Sequence, residues 1–187
     1  MSTEQQDRRL ILDGLRARPD GAAALRYYDS LDPVAVEELF GVWRGSEVRS
    51  DHPLDGLLKT FGWYGKRFDG PDDVHPLVFT RGDGRPVAVS PSFLPVNLLL
   101  DRPRLARLPV AALLFRLALP LTRTTRPQAR LRMTEYRGVV TATMCYDALP
   151  VHDAFRKVDD DLVMGAMELR GSPRPFLFLL SRVRGTG

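Results

Sequence analysis

The sequence predicts an α+β protein in which an antiparallel sheet curls into a lipocalin-like barrel, with helices at the amino terminus. Apolar residues recur at helical spacing within the first forty positions, whereas from residue 129 onward they alternate with polar residues as in half-buried strands. Proline and glycine separate the alternating segments at short intervals, which favours a barrel or curled sheet over a parallel α/β fold. The chain of 187 residues is long enough to bury a sizeable core.

We predict one domain over residues 1–187, because a chain of this length usually folds as a single unit. Four segments follow one another within it. They are a helical segment (1–40), a segment with the first strands (41–90), a proline-rich connection with a short apolar helix (91–128), and an antiparallel β region (129–185).

Three helices are predicted before residue 41. The first carries apolar residues at helical spacing and ends at the turn sequence Pro19-Asp20-Gly21. The second extends from Ala22 to Asp29. A third is predicted to begin at Asp32-Pro33, because these residue types suit a helix N-cap and first position, and to end at Gly41.

In the next segment an alternating strand is predicted from Gly41, followed by a helix that begins at His52-Pro53. The apolar residues of that helix recur at i, i+3, i+4 and i+7, which indicates one face turned toward a core. Gly62 and Gly65 are expected to end it.

Hairpins are predicted in the remaining sequence. Leu77–Thr80 and Val87–Val89 flank Gly82-Asp83-Gly84, a sequence typical of a hairpin turn. Further on, Asp159-Asp160-Asp161 separates two alternating runs in the same way. The strands predicted after residue 128 are 129–134, 139–146, 155–158, 162–169 and 176–183.

Charge and composition argue against several classes of function. The net charge is +4, and the basic residues alternate with acidic ones along most of the chain without forming a basic block. We therefore predict no nucleic-acid partner. The single cysteine, Cys145, allows no intrachain disulfide, which fits a cytoplasmic protein, and its mid-strand position predicts a buried, inert thiol. The amino terminus lacks the apolar run of a secretion signal.

The most apolar stretch, Leu108–Leu121, is too short to span a bilayer and contains Arg116. We therefore predict an interfacial or pocket-covering helix there and no stable membrane insertion. Phosphate-binding loops, dinucleotide fingerprints and zinc spacings do not occur in the sequence, so we predict neither a cofactor nor a metal.

Two stretches resemble a known family. Gly41-Val42-Trp43-Arg44-Gly45, continued by His52–Leu58 and Trp63–Lys66, is similar to the signature of the GXWXG domain. The second half, from Tyr136 through Tyr146-Asp147 to His152–Asp159, resembles the domain of unknown function that usually accompanies it. This resemblance covers residues 35 to 185 and implies an architecture rather than an activity. The Gly-x-Trp of the first strand is also similar to lipocalin-like barrels, including haem-binding ones.

Within these stretches, two histidines each lie close to a carboxylate. His52 is followed by Asp55, and either the pair faces a cavity or it caps the helix that Pro53 begins. His152 is followed by Asp153 where a strand ends, which is either an acid–base pair or a surface turn. Tyr146 is expected to direct its hydroxyl into the barrel.

We predict that His52, Asp55, Tyr146, His152 and Asp153 are the catalytic residues. His75 lacks an adjacent acid other than Asp72 and Asp73, and we interpret it as structural. Aromatic, basic and sulfur-containing side chains near the two stretches are predicted to bind the ligand. They are Trp43, Trp63, Tyr64, Lys66, Met144 and Phe155.

The function predicted from these residues is binding of a small, largely apolar organic molecule in a barrel cavity, followed by cofactor-free acid–base chemistry. Isomerisation, cyclisation or elimination would suit this set of proton donors and acceptors. Two alternatives use the same cavity. One is a non-catalytic carrier of a hydrophobic ligand, and the other is a haem-binding barrel with His52 or His152 as axial ligand.

Overall fold

The computed structural model describes residues 3–50, 52–81, 84–93 and 108–184. Its helices are α1 (Thr3–Ala17), α2 (Gly21–Ser30), α3 (Leu57–Phe61) and α4 (Pro109–Ala118). Short 3₁₀ helices cover Glu37–Leu39, Pro91–Phe93 and Leu119–Leu121. The strands are β1 (Asp32–Pro33), β2 (Gly41–Glu47), β3 (Trp63–Phe68), β4 (Val74–Thr80), β5 (Pro86–Ala88), β6 (Ala129–Tyr136), β7 (Val139–Tyr146), β8 (Val151–Asp159), β9 (Leu162–Leu169) and β10 (Phe176–Arg182).

Within the described residues, eight of these strands form a closed antiparallel ring in the order β8-β7-β6-β4-β3-β2-β10-β9, with β9 pairing back onto β8. β1 and β5 lie outside the ring and extend β8 and β4. This arrangement confirms the predicted α+β class and the curled, barrel-like sheet. An eight-stranded ring encloses a space that side chains fill or that holds one small ligand.

Strand alternation sorts the side chains into an inner and an outer layer. On β10, Phe176, Phe178 and Leu180 face the inside of the ring, whereas Leu177 and Leu179 face outward. The outer layer is covered by α1 and α2, which contribute Leu12, Tyr27 and Tyr28, among others. On α1 itself, Leu10 and Ile11 remain exposed.

Most predicted elements are present. Asp20 caps α2 by accepting hydrogen bonds from the amides of Ala22 (2.9 Å) and Ala23 (3.0 Å). The hairpin between β6 and β7 turns at Arg137 and Gly138, whose φ angles of 52° and 76° suit a two-residue turn. The predicted irregular connection after Pro91 falls largely on residues 94–107, which lie outside the described residues.

The glycine–tryptophan stretch at the start of β2 has a steric explanation. Trp43 is fully buried, donates from Nε1 to the carbonyl oxygen of Leu39 (2.6 Å) and lies 4.3 Å beneath the Arg182 guanidinium. A Cβ at Gly45 would lie 2.1 Å from a ring carbon of Trp63, so only glycine leaves room for that indole. The second tryptophan is therefore positioned by a glycine eighteen residues earlier in the chain.

Two predicted helices are wrong in extent. Asp32-Pro33 begins no α-helix but forms β1 against β8, and only a 3₁₀ turn follows it, because Val34 and Leu39 are buried in the inner core. The helix predicted from His52-Pro53 starts only at Leu57. Gly56 interrupts it with a left-handed φ of 86°, which leaves a turn before α3.

The strand boundaries differ from prediction at two stretches that carry candidate site residues. Trp63–Phe68 forms β3, although the sequence was interpreted there as the end of a helix. The predicted strand at Phe155 begins earlier, at Val151, so His152 and Asp153 lie within β8 rather than in its preceding connection. Adjacent residues of a strand point to opposite faces, and the two side chains are therefore separated by the sheet.

Among the described residues, no helix combines the length and apolarity needed to cross a bilayer.

Candidate functional site

A buried ion pair crosses the interior of the ring. Lys66 of β3 and Asp153 of β8 approach to 2.8 Å between Nζ and Oδ2, and their side chains are 3% and 1% exposed. β3 and β8 lie four positions apart in the ring of eight, so the contact connects opposite sides of the barrel. Isolated charges are costly in an apolar interior, and a pair is tolerated there only when each member neutralises the other.

Aromatic rings surround the lysine. Its Nζ lies 5.1 Å from the centre of the Phe178 ring and 5.6 Å from those of Trp63 and Tyr146. The same atom donates to the carbonyl oxygen of Pro76 (3.1 Å) and lies 3.4 Å from the Tyr146 hydroxyl oxygen. Ring faces attract a cation, and the attraction is larger where water is absent. The cage therefore stabilises a charged ammonium group inside the barrel.

Polar atoms beside this pair lack hydrogen-bond partners. Among the described residues, the indole Nε1 of Trp63 is a buried donor without an acceptor, and Asp153 Oδ1 is a buried acceptor without a donor. Asp153 Oδ2 has only the ionic contact with Lys66. Buried polar groups are almost always paired in folded proteins, and each exception needs an explanation such as strain, a bound water or ion, or a catalytic role. An indole donor and a carboxylate acceptor beside Lys66 thus keep unused hydrogen-bonding capacity.

Burial controls the protonation of these groups. Desolvation raises the pKa of Asp153, although the Lys66 ammonium opposes the rise, and desolvation likewise lowers the pKa of Lys66 against the effect of Asp153. Both shifts make transfer of a proton from lysine to carboxylate easier than in water. Desolvation also raises the pKa of Tyr146 well above its usual value, so its hydroxyl remains protonated and can donate a hydrogen bond.

Such an arrangement can move a proton and stabilise the charge that results. Asp153 Oδ1 offers an acceptor, the Lys66 ammonium offers a positive charge, and the Tyr146 hydroxyl offers a hydrogen bond. These are the roles of base, electrostatic stabiliser and orienting donor in acid–base catalysis.

Of the five residues predicted to be catalytic, the structure brings Tyr146 and Asp153 together. His52 is buried elsewhere in the inner core. Its Nδ1 accepts from the Leu54 amide (3.2 Å), its Nε2 lies 3.3 Å from the Ser172 hydroxyl oxygen, and its ring packs edge-on against Phe176. Both ring nitrogens are engaged by the protein, and desolvation lowers the pKa of the imidazole.

Asp55 and His152 lie apart from the ion pair. Asp55 Oδ2 accepts from the backbone amides of Ser50 (2.9 Å) and His52 (3.2 Å), and it thereby fixes the turn before α3. His152 is exposed on the outer face of β8, opposite to Asp153. Neither side chain reaches the inside of the ring in this arrangement.

The residues predicted to bind ligand separate into two groups. Trp63 and Lys66 belong to the buried cluster, and Met144 and Phe155 lie in the inner core. Met144 is paired directly opposite Asp153 across β7 and β8. Trp43 is also in the inner core but is enclosed by Leu39 and Arg182, and Tyr64 lies under the guanidinium of Arg44.

One further group of potential metal ligands lies among the described residues. Single ligand atoms of Asp69, Asp73 and His75 are within 4.8 Å of one another. His75 Nε2 lies 3.4 Å from Asp73 Oδ1, and Asp69 Oδ2 is already 2.7 Å from Nε of Arg67. Hydrogen bonds and an ion pair thus account for this group, and the neighbouring arginine disfavours a cation.

The pairing of Lys66 with Asp153 was not predicted, although both residues were candidates. Lys66 and Phe68, two residues apart, both lie inside the ring, but the sequence of β3 did not indicate this because the strand itself was not predicted. Cys145 lies half-buried on β7, and desolvation raises the pKa of its thiol, which agrees with an unreactive cysteine.

Comparisons with known proteins agree with this fold. The GXWXG protein family model matches residues 26–84, and the model for the domain of unknown function DUF4334 matches residues 127–182. No curated protein matches the sequence. A solved structure described as "protein from Thermomonospora curvata" is 32% identical, with a TM-score of 0.69, and the match covers 95% of this chain and 99% of that one. With the signature glycines and tryptophan in place on β2, this chain belongs to the GXWXG protein family and carries DUF4334 in its second half.

Proposed function

We propose that this protein binds a small, largely apolar organic molecule inside the barrel and acts on it by cofactor-free acid–base chemistry at Asp153, Lys66 and Tyr146. One observation carries the proposal. A fully buried lysine–carboxylate pair lies within an aromatic cage, next to an indole N–H and a carboxylate oxygen that have no partner.

The cost of the ion pair supports a functional origin. Replacing a buried ion pair with well-packed apolar residues is often neutral or stabilising, so folding alone does not favour Lys66 and Asp153 here. Strong desolvation of two coupled titratable groups in one apolar space is typical of catalytic sites. The surrounding phenyl and indole rings suit a ligand that is apolar apart from one or two polar groups.

In the proposed reaction Asp153 Oδ1 removes a proton from a carbon of the bound molecule. The electron pair of the broken C–H bond moves onto a polar atom of the substrate, where the Lys66 ammonium and the Tyr146 hydroxyl stabilise the negative charge. Asp153 then returns the proton to a different carbon, which completes an isomerisation without any net gain or loss of atoms. Elimination or cyclisation would use the same base and the same stabilising groups.

A non-catalytic carrier is the second candidate. Trp63 Nε1 and the Tyr146 hydroxyl can orient a ligand without any proton transfer, and the unpartnered indole N–H favours a bound acceptor in either case. A haem-binding barrel gains no support from the geometry, because both nitrogens of His52 are engaged and His152 lies on the outer face.

The first experiment identifies the ligand. Small molecules released from the denatured protein are analysed by mass spectrometry, and the compound found is returned to the ligand-free protein in D₂O. Acid–base chemistry predicts that a carbon-bound hydrogen of the compound exchanges for deuterium. Nuclear magnetic resonance of the compound measures this exchange. Binding without exchange would favour the carrier.

Variants connect that result to the site. Asp153→Asn is expected to abolish exchange, lowering its rate about 100-fold or more, because the amide cannot accept the proton. Lys66→Met should lower the rate while the compound still binds. His152→Ala is the matched control on the outer face of the same strand, and it should exchange hydrogen at the wild-type rate. Wild-type exchange in Asp153→Asn would contradict the proposal.

We also propose a cytoplasmic location, since a single cysteine allows no intrachain disulfide of the kind that stabilises many secreted proteins.

A further inference from the structure

The apolar helix α4 presents an uncovered hydrophobic face. One side of the helix packs onto the barrel, where Phe115 contacts the rings of Phe61 (5.0 Å) and Phe79 (4.9 Å) between centroids. The opposite side of α4 and the 3₁₀ turn that follows it expose 54–84% of each of five apolar residues. They are Val110, Leu113, Leu114, Leu117 and Leu121, which together we call the α4 face. A cluster of exposed leucines of this kind on a soluble protein usually marks a surface that a partner or a membrane covers.

Positive charge lies next to the α4 face. Residues 108–134 contain five arginines and no aspartate or glutamate, which leaves 22 basic and 23 acidic residues in the rest of the chain. Arg130 and Arg132 pair with Asp147 and Asp72. Arg116, Arg123 and Arg126 are exposed, the first on α4 itself and the others within five residues of Leu121. Exposed leucines flanked by arginines and free of acids match a surface with an apolar interior and anionic groups.

We propose that the α4 face docks this protein onto anionic phospholipid bilayers, with the leucines among the acyl chains and the three arginines at the headgroups. α4 has ten residues, about 15 Å of helix, and therefore lies in the interface rather than across the membrane. This interaction goes beyond the proposed reaction and does not depend on it.

Charge distinguishes this partner from a second copy of the chain. A symmetric dimer through the α4 face would bring the same patch of both copies together, with Arg116, Arg123 and Arg126 of each facing the other set. No aspartate or glutamate in residues 108–134 offsets that repulsion. An anionic bilayer instead supplies the opposite charge.

The test measures co-sedimentation of the whole protein with vesicles. Vesicles of phosphatidylcholine with about a third phosphatidylglycerol should bind the protein at low salt. Vesicles of pure phosphatidylcholine should bind it at least about tenfold more weakly. The double variant Leu113→Ser/Leu117→Ser should weaken binding to the anionic vesicles at least about tenfold. Arg123→Ser/Arg126→Ser should weaken binding and reduce its dependence on salt.

The chain offers a matched control on another helix. Leu10 and Ile11 of α1 are as exposed as the α4 leucines, so Leu10→Ser/Ile11→Ser removes the same kind of side chain elsewhere. This variant should bind vesicles as the wild type does, and circular dichroism should show that all three double variants are folded. Equal vesicle binding by the wild type and Leu113→Ser/Leu117→Ser would overturn the proposal.

Two further measurements separate the remaining outcomes. Light scattering should show the same mass for the wild type and Leu113→Ser/Leu117→Ser, and a wild-type dimer that the variant dissociates would assign the α4 face to a second copy instead. Lys66→Met should keep its vesicle binding. Loss of docking and loss of the proposed reaction therefore have separate signatures.

Discussion

At the scale of single residues, Lys66 and Asp153 are the least expected feature of the inner core. Neither group gains enough from folding to explain its burial, since each loses its hydration and they share only one close contact. Their value to the fold is mutual: each is tolerated because the other is present. That dependence can be measured without knowing the ligand.

Removing one partner should cost far more than removing both. Lys66→Met leaves a buried carboxylate without its cation, and we expect it to lower the free energy of unfolding by about 3 kcal/mol at neutral pH. Lys66→Met/Asp153→Leu should recover most of that loss. Urea denaturation of the two variants checks this, with Arg130→Met, which breaks the exposed pair with Asp147, as a control that costs less than about 1 kcal/mol. Equal stability of the single and double variants would refute mutual dependence.

His52 should make stability depend on pH. Its pKa is lowered in the folded protein by desolvation, so below the ordinary value of 6.5 the unfolded chain binds a proton that the folded protein resists. Folding stability from this residue is therefore present above that value and is lost as pH falls. The free energy of unfolding of the wild type relative to His52→Gln should fall by up to about 1 kcal/mol from about pH 7.5 to about pH 5.5. A constant difference in urea denaturation would show that His52 does not titrate in this way.

At the scale of elements, the glycines of β2 and β3 determine how closely the two strands and their tryptophans approach. Gly65 has a φ of 151°, and a Cβ there would lie 1.9 Å from the carbonyl oxygen of Trp43. Gly45 provides the space for the Trp63 ring. These two positions link the family signature to the aromatic cage around Lys66.

Gly45→Ala should therefore displace Trp63 and lower stability by about 2 kcal/mol or more, because the new methyl group overlaps a ring in a packed core. The matched control is Gly14→Ala in α1, where a Cβ meets no atom within 4 Å. That change should stabilise the protein by about 0.5–1 kcal/mol through helix propensity. Thermal melts and tryptophan fluorescence of the two variants test this prediction. Unchanged tryptophan fluorescence in Gly45→Ala would show that the methyl group does not displace Trp63.

At the scale of the whole molecule, the ring of strands has one narrow junction. β4 and β6 share a single pair, Val74 with Ala129, whereas β8 and β9 pair along almost their full lengths. Two further backbone hydrogen bonds support the junction, from the Gln128 amide to the Val74 carbonyl (2.9 Å) and from Leu131 to Pro71 (2.7 Å). Local opening is expected where few backbone hydrogen bonds hold two strands together.

Native-state hydrogen exchange should reveal this junction. The amides of Gln128 and Leu131 are expected to exchange before those of β8 that bond to β9, because opening the β4–β6 junction breaks few contacts. Bound ligand should slow their exchange if it holds the barrel closed. Protection at the junction equal to that of β8 would mean that the ring opens only by global unfolding.

The order and type of most elements followed from local sequence. Alternation after residue 128 identified β6, β7, β9 and β10, and the helical spacing of the first thirty residues identified α1 and α2. These predictions succeeded because each element has one face against the core, and the periodicity of the apolar residues records that face directly. The barrel class followed from the short, regular spacing of the strands.

Local sequence failed where tertiary contacts outweighed propensity. Asp32-Pro33 has the residues of a helix start, yet Pro33 lies at the edge of β8 because the following Val34 is buried inside the ring. Trp63–Phe68 contains a glycine and gives no clear alternation, and its strand geometry depends on pairing with β2 and β4. For the same reason the site was only half predicted, with Tyr146 and Asp153 named and the charge of Lys66 given no catalytic role.

The sequence by itself determined the fold class, most of the secondary structure and the family, because these depend on periodicities and motifs that can be observed along the chain. Only the tertiary structure decided which polar residues meet. Lys66 and Asp153 are 87 positions apart in sequence and four strands apart in the ring, so neither spacing nor propensity connects them. Closure of the sheet brings opposite strands together across a narrow interior, and that closure selects Asp153 over its neighbour His152, because the two side chains point to opposite faces of β8.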